Sequence, residues 1–143
     1  MVQTELIAEI RLLARAEELK RVRDAVRELI AHRGCNAKIA ECVVLAVDEA
    51  CMNIIQHAYH NDPAGEIVVQ ILNNRDELVF RLIDFAAPVD KTCIRSRDLD
   101  DIRPGGLGVH LMSEVMDEVR FVEPPAGAGN ALEMRKKITP CRQ

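Results

Sequence analysis

Aromatic side chains are scarce in this sequence, with three Phe, one Tyr and no Trp among 143 residues. Its core must therefore be aliphatic, and it has few platforms on which successive bases could stack, which argues against single-stranded nucleic-acid binding. Basic charge is not in excess either. The formal net charge of −4 removes the electrostatic footprint that a phosphate-backbone binder needs, so nucleic acid is not an expected partner. No stretch approaches the roughly 20 apolar residues of a membrane span, and no membrane association is expected. The first ten residues carry Glu5 and Glu9 and lack the apolar run of a signal peptide. Cys35, Cys42, Cys51, Cys93 and Cys141 form an odd set without a C-x-x-C pair, which fits neither a disulfide framework nor a zinc site. Buried free thiols in a reducing compartment, hence a cytoplasmic location, are the expectation.

What is present is 48% hydrophobic and 29% charged residues, the balance of a globular chain whose length suits a single domain spanning 1–143. Val2 to Leu13 is ambiguous: Leu6, Ala8, Ile10 and Leu12 alternate as in a strand, whereas Leu6, Ile10 and Leu13 also suit a helix. Between Ala14 and His32, Leu19, Val22, Val26 and Leu29 recur at helical spacing, with Gly34 as a stop. Asn36 can cap a second helix, predicted to run to about Tyr59 before Asn61-Asp62-Pro63-Ala64-Gly65 breaks it. The period then changes to two. Glu66 to Leu72 and Glu77 to Asp84 read as a hairpin turning at Asn73–Asp76. Phe85 to Arg103 is irregular, and a connection of that length is usually functional, often a lid. Pro104-Gly105-Gly106-Leu107-Gly108 leads into a helix carrying Met112, Val115 and Met116, followed by strands at Glu118–Glu123 and Ala131–Ile138. This order predicts an α+β fold, a two-layer sandwich with helices on one face of a mainly antiparallel sheet.

The second helix is the most informative element. At about 100° per residue, Val43, Val47, Ala50 and Ile54 fall on one core line. Glu49, Asn53 and His57 form an adjacent line at i, i+4, i+8. That line is either the polar flank of an amphipathic helix or a cofactor wall, since carboxylate and amide oxygens are hard ligands suited to Mg²⁺ and a partly buried Glu can act as a general base. His57 is a poor third ligand and more readily hydrogen-bonds locally. Asp84 ends a strand where the chain becomes irregular; alone, it could simply cap a turn. Gly105-Gly106-Leu107-Gly108 is either a plain turn or an anion site at a helix N-terminus, and it lacks the Gly-Lys-Ser/Thr of a Walker A loop.

Taken together, these segments resemble the motifs of the anti-sigma factor serine/threonine-protein kinases of the GHKL superfamily. Glu49-Ala50-Cys51-Met52-Asn53-Ile54-Ile55-Gln56-His57-Ala58-Tyr59 is similar to their E-A-x-x-N-x-x-x-H-A-Y box. Asp84-Phe85-Ala86-Ala87-Pro88-Val89-Asp90 is similar to D-x-G-x-P-F-D, with Ala86 in place of the glycine. Gly105–Leu111 resembles G-G-L-G-x-x-L, Met116-Asp117-Glu118-Val119 the end of the helix that follows, and Gly129–Lys136 the closing G-N-x-L-x-M-x-K strand. The four boxes keep the family's order across nearly the whole chain.

The resemblance implies the GHKL, or Bergerat, ATP-binding fold, with a strand at Val2–Leu12. It implies Mg²⁺ and ATP as cofactors, Asn53 as the metal ligand and Glu49 as the base for the attacking hydroxyl. Asp84 would accept a hydrogen bond from the adenine amino group, Ala86 and Pro88 would line the nucleotide, and Gly105, Gly106, Leu107 and Gly108 would hold the phosphates. The Cβ of Ala86 takes room where the family brings backbone close to nucleotide, which implies reduced affinity. Arg103 either reaches the γ-phosphate or is a solvated lid charge. The implied reaction is phosphoryl transfer from ATP to a serine or threonine of a STAS-domain antagonist, by a homodimer that also binds a sigma factor. Arg21, Arg23 and Arg27 on the first helix mark either a partner surface or a solvated face. Two other readings stay open. One is a non-catalytic, nucleotide-dependent binding module. The other is a sensor histidine kinase fragment, for which His32 lacks the usual acidic neighbour and the chain has no room for a dimerisation hairpin.

Overall fold

The computed structural model describes residues 4–88 and 112–138. Among them, five strands form one sheet: β1 (Glu5–Leu13), β2 (Glu66–Asn74), β3 (Glu77–Asp84), β4 (Glu118–Val122) and β5 (Asn130–Lys137). Their order is β1-β2-β3-β5-β4, and every neighbouring pair is antiparallel. Two helices, α1 (Leu19–His32) and α2 (Ala37–Asn53), connect β1 to β2.

The alternation of side chains along the strands explains why both helices lie on one face. Ile67, Val69 and Ile71 of β2, Leu78, Phe80 and Leu82 of β3, and Met134 of β5 are buried together with Val22, Val26 and Ile30 of α1 and Val43, Val47 and Ala50 of α2. Each of these side chains larger than alanine contributes about 1.5–3 kcal/mol of burial energy, so this aliphatic layer fixes the register of helices on sheet. The opposite face holds a small cluster of Val68, Ile83 and Ala131. Beside it, Glu9, Gln70, Arg81, Glu133 and Arg120 stand opposite one another in register, a polar row that crosses all five strands. Arg81 Nη2 lies 3.1 Å from Glu133 Oε2, and Arg135 Nη2 lies 2.7 Å from its Oε1. Burial raises the Glu133 pKa, but the Arg135 and Arg81 guanidiniums outweigh it and hold the carboxyl below its ordinary value.

The expected α+β architecture is therefore present, with differences at element ends. Helix α1 begins at Leu19, not at Ala14, because the Ala14 N–H still donates to Gly65 O at 2.8 Å, extending the β1–β2 pairing by one residue. A short 3₁₀ turn, Ala16–Glu18, then leads into the helix. Gly34, at φ 71, ends α1, and Asn36 caps α2 by accepting from Lys38 N at 2.7 Å, both as the sequence predicts. The second helix does not continue in α geometry to Tyr59. Ile54–Ala58 forms a π-turn closed by Tyr59 N donating to Ile54 O at 3.0 Å. The β2–β3 hairpin is longer than predicted, with Asn74 opposite Glu77 and only Arg75 and Asp76 in the turn.

The thiols of Cys35, Cys42 and Cys51 are free, and burial, aided by the charge of Asp48, pushes Cys51 up to about 12. Cys93 and Cys141 lie outside the described residues. Among the described residues no helix is long and apolar enough to cross a membrane.

Candidate functional site

Asp84 sits at the last rung of the central strand, opposite Ile67 of β2 and Asn130 of β5. It faces the helix layer, in step with Leu78, Phe80 and Leu82, and is only 3% exposed. A buried carboxylate needs partners, and both of those in the structure fall on one oxygen. Asn130 Nδ2 donates to Asp84 Oδ1 at 2.9 Å and Ala86 N donates to the same atom at 3.1 Å. Among the described residues Oδ2 takes no hydrogen bond, so it is an acceptor held in a fixed direction. Burial pushes the Asp84 carboxyl above its ordinary value, and the Asn130 amide and Ala86 N–H oppose that shift without cancelling it.

The chain beyond Asp84 is fixed by a close backbone approach. Gly129 N donates to Asp84 O at 2.9 Å, and a Cβ on Gly129 would lie 1.7 Å from the Ala86 carbonyl oxygen. Only glycine admits that approach. Asn130 also donates to Ala87 O at 3.2 Å, so Gly129 and Asn130 hold the 84–87 segment at both of its ends. Ala86 is half-buried, whereas Pro88 is exposed.

Glu49 and Asn53 lie one turn apart on α2, both half-buried beside Ala46 and Ala50. Neither side chain makes a hydrogen bond to any other described residue. Two half-buried oxygen ligands with no partner among the described residues fit a hard cation that keeps most of its other ligands as water or phosphate. His57 does not continue their line. The π-turn places one residue more in the turn than an α-helix would, so the 100° step fails after Asn53. His57 is exposed and makes no hydrogen bond among the described residues. Gly105, Gly106, Leu107, Gly108 and Arg103 lie outside the described residues, as does the rest of 89–111.

The chain from 12 to 136 matches the family model of the histidine kinase-like ATPase domain. Serine-protein kinase RsbW of Bacillus subtilis is 30% identical, the match covering 78% of this chain and 75% of that protein. The RsbW of Bacillus pumilus is 29% identical, over 95% of this chain and 88% of its own. The chain belongs to the RsbW-like histidine kinase-like ATPases. A chain in the crystal structure of the SiaB–SiaC complex from Pseudomonas aeruginosa shares the fold, with a TM-score of 0.61 at 16% identity over 92% of this chain and 90% of that one.

In this RsbW-like chain, Tyr59 and Asn130 join the site without having been assigned a role from sequence. Both stand in the motifs that carry the resemblance, and it is the structure that pairs Asp84 with Asn130 in register. The arginines of α1 are engaged within the chain: Arg21 with Glu18 at 3.0 Å, Arg23 with Asp48 at 2.8 Å and Arg27 with Glu41 at 2.6 Å. The exposed Arg21–Glu18 and Arg27–Glu41 pairs contribute little to stability; Arg21 ties α1 to the preceding 3₁₀ turn, and Arg23 and Arg27 tie it to α2.

Proposed function

We propose that this chain is an ATP-dependent serine/threonine protein kinase of a partner-switching system, phosphorylating a STAS-domain antagonist and holding a sigma factor in check. One observation carries the reading of the site. Asp84 is buried at the end of the central strand, with one oxygen taking two hydrogen bonds and the other none among the described residues, which suits an acceptor for the exocyclic amino group of adenine. The RsbW relatives, named serine-protein kinases, support the reaction class. The SiaB–SiaC neighbour, solved as a complex, supports only the fold.

Asn53 would hold the magnesium ion that accompanies ATP; when bound, that ion neutralises phosphate charge. Ala86 and Pro88 would flank the base, and Gly105, Gly106, Leu107 and Gly108, with Arg103, would cradle the phosphates. Glu49 orients the incoming hydroxyl and accepts its proton. The hydroxyl oxygen bonds to the γ-phosphorus, the bond to the β,γ-bridging oxygen breaks, and ADP leaves. Such catalysis is mostly positioning and charge neutralisation. The working form is proposed to be a cytoplasmic homodimer of a single domain. Leu6 and Ile7, 51% and 38% exposed on β1, an edge strand among the described residues, favour a second copy there.

The test is incubation with [γ-³²P]ATP, Mg²⁺ and candidate STAS proteins. Label on a serine or threonine of the partner, lost in Glu49→Gln, is the expected result. Nucleotide binding without transfer to any partner would favour the second reading, a non-catalytic binding module, which the Ala86 substitution supports.

A further inference from the structure

The hydroxyl of Tyr59 occupies an unusual place. It donates to Glu66 O at 2.6 Å and accepts from Phe85 N at 2.7 Å. Glu66 and Phe85 are the residues that would form the next rung of the β2–β3 ladder after Ile67 and Asp84. The hydroxyl therefore stands between a carbonyl and an amide that would otherwise pair with each other, satisfying both while holding them apart. Only a group that both donates and accepts can do this. The ring is locked in turn. It lies against Gly65, where a Cβ would meet ring carbons at 2.6 Å, and its own N–H closes the π-turn on Ile54 O.

We propose that Tyr59 is a positioning residue that sets Asp84 for base recognition by wedging open the strand ladder one residue beyond it. The inference rests on the reading of Asp84 as the acceptor for the adenine amino group. Through the π-turn, the same side chain joins the end of α2, which carries Glu49 and Asn53, to the strand end that carries Asp84. It thus fixes the spacing between the residues proposed for the phosphate end of ATP and the residue proposed for its base. Without the hydroxyl, Glu66 O and Phe85 N–H, both on exposed residues, lose their shared partner. They can pair directly, drawing Phe85 towards β2 and turning Asp84 Oδ2 away from the base.

The experiment compares Tyr59→Phe with the unaltered protein, using calorimetric titration with Mg·ATP and with Mg·ITP, whose base has a carbonyl oxygen in place of the adenine amino group. The expected result is a preference for ATP over ITP in the parent protein and a roughly tenfold weaker ATP affinity in the variant, about one hydrogen bond's worth. ITP affinity should be unchanged, so that the ATP-over-ITP preference collapses. Equal weakening towards both nucleotides, or none towards either, would overturn the proposal, because it would make Tyr59 a general structural residue. A parent protein without preference for ATP over ITP would instead overturn the reading of Asp84, and the proposal with it, by a different signature. Should Tyr59→Phe not fold, Phe85→Pro removes the amide donor while leaving the Tyr59–Glu66 bond. Proline there keeps Asp84 extended and leaves the ladder no amide with which to close, so the ATP-over-ITP preference should survive, and its collapse would overturn the proposal.

Discussion

Replacing Gly129 by alanine tests how the base-side acid is held. A Cβ at this position would lie 1.7 Å from Ala86 O and 2.9 Å from Ala86 C. The nearest atoms are main-chain, so no flexible side chain can swing aside. Carbon–oxygen contacts settle near 3.5 Å, and one strand end must retreat from the other by well over an ångström. That movement strikes the Gly129 N–Asp84 O bond and the Asn130–Asp84 bond together. Overpacking of this kind costs about 1–3 kcal/mol and each lost hydrogen bond about 1 kcal/mol. A total near 3 kcal/mol lowers the melting temperature by roughly 10 °C in a chain of this size. The loss should appear in thermal unfolding followed by circular dichroism, with ATP affinity falling alongside it. Ala86→Gly should not rescue the variant, since the obstruction is the carbonyl of residue 86 and not its methyl. A Gly129→Ala protein melting within about 2 °C of the parent would refute the reasoning. So would full rescue by Ala86→Gly.

Three further outcomes are expected. Asn53→Ala should abolish the Mg²⁺-dependent part of ATP binding while leaving α2 folded, because alanine is an excellent helix former; calorimetry with and without Mg²⁺ reads this directly. The Asp84 carboxyl, raised by burial, would in its ionised form accept from the adenine amino group. ATP affinity should therefore fall as pH drops through that raised value, and unliganded stability should fall as pH rises from the ordinary aspartate value through it; Asp84→Asn should flatten both profiles. Glu133, held below its ordinary value by Arg135 and Arg81, contributes stability that is present above the ordinary glutamate range and lost as pH falls through the lowered value. Glu133→Gln should cost about 1–3 kcal/mol at neutral pH in urea unfolding, discounted from a fully buried pair because both arginines are partly exposed.

Much of the architecture was legible where periodicity was strong. Leu78, Phe80 and Leu82 announced a strand, and Val43, Val47, Ala50 and Ile54 a buried helix line; all are buried in the structure. The caps at Gly34 and Asn36 were legible because their chemistry is local. The π-turn was not, since Ile54 and Ile55 fit the apolar side of an α-helix equally well and nothing in the pattern marks one extra residue. The start of α1 was hidden for another reason: Ala14 suits a helix by propensity, but its N–H is claimed by Gly65, 51 residues along the chain. At the site, Glu49, Asn53 and Asp84 could be named from motif spacing. The hydroxyl of Tyr59 and the amide of Asn130 act across strand boundaries, and such bonds leave no trace in local sequence.

The central place of β3 has a consequence for the chain as a whole. It is paired on both sides along its length, with β2 and with β5, so its amides should exchange with solvent only when the entire sheet opens. If ATP is recognised at the end of that strand, occupancy and global unfolding are mutually exclusive. At a hundred times its dissociation constant, a ligand adds about 2.7 kcal/mol to the stability of the state that binds it. Nucleotide would then act as a stabiliser of the fold as well as a substrate, and the half-life of the protein against proteolysis would track the supply of ATP.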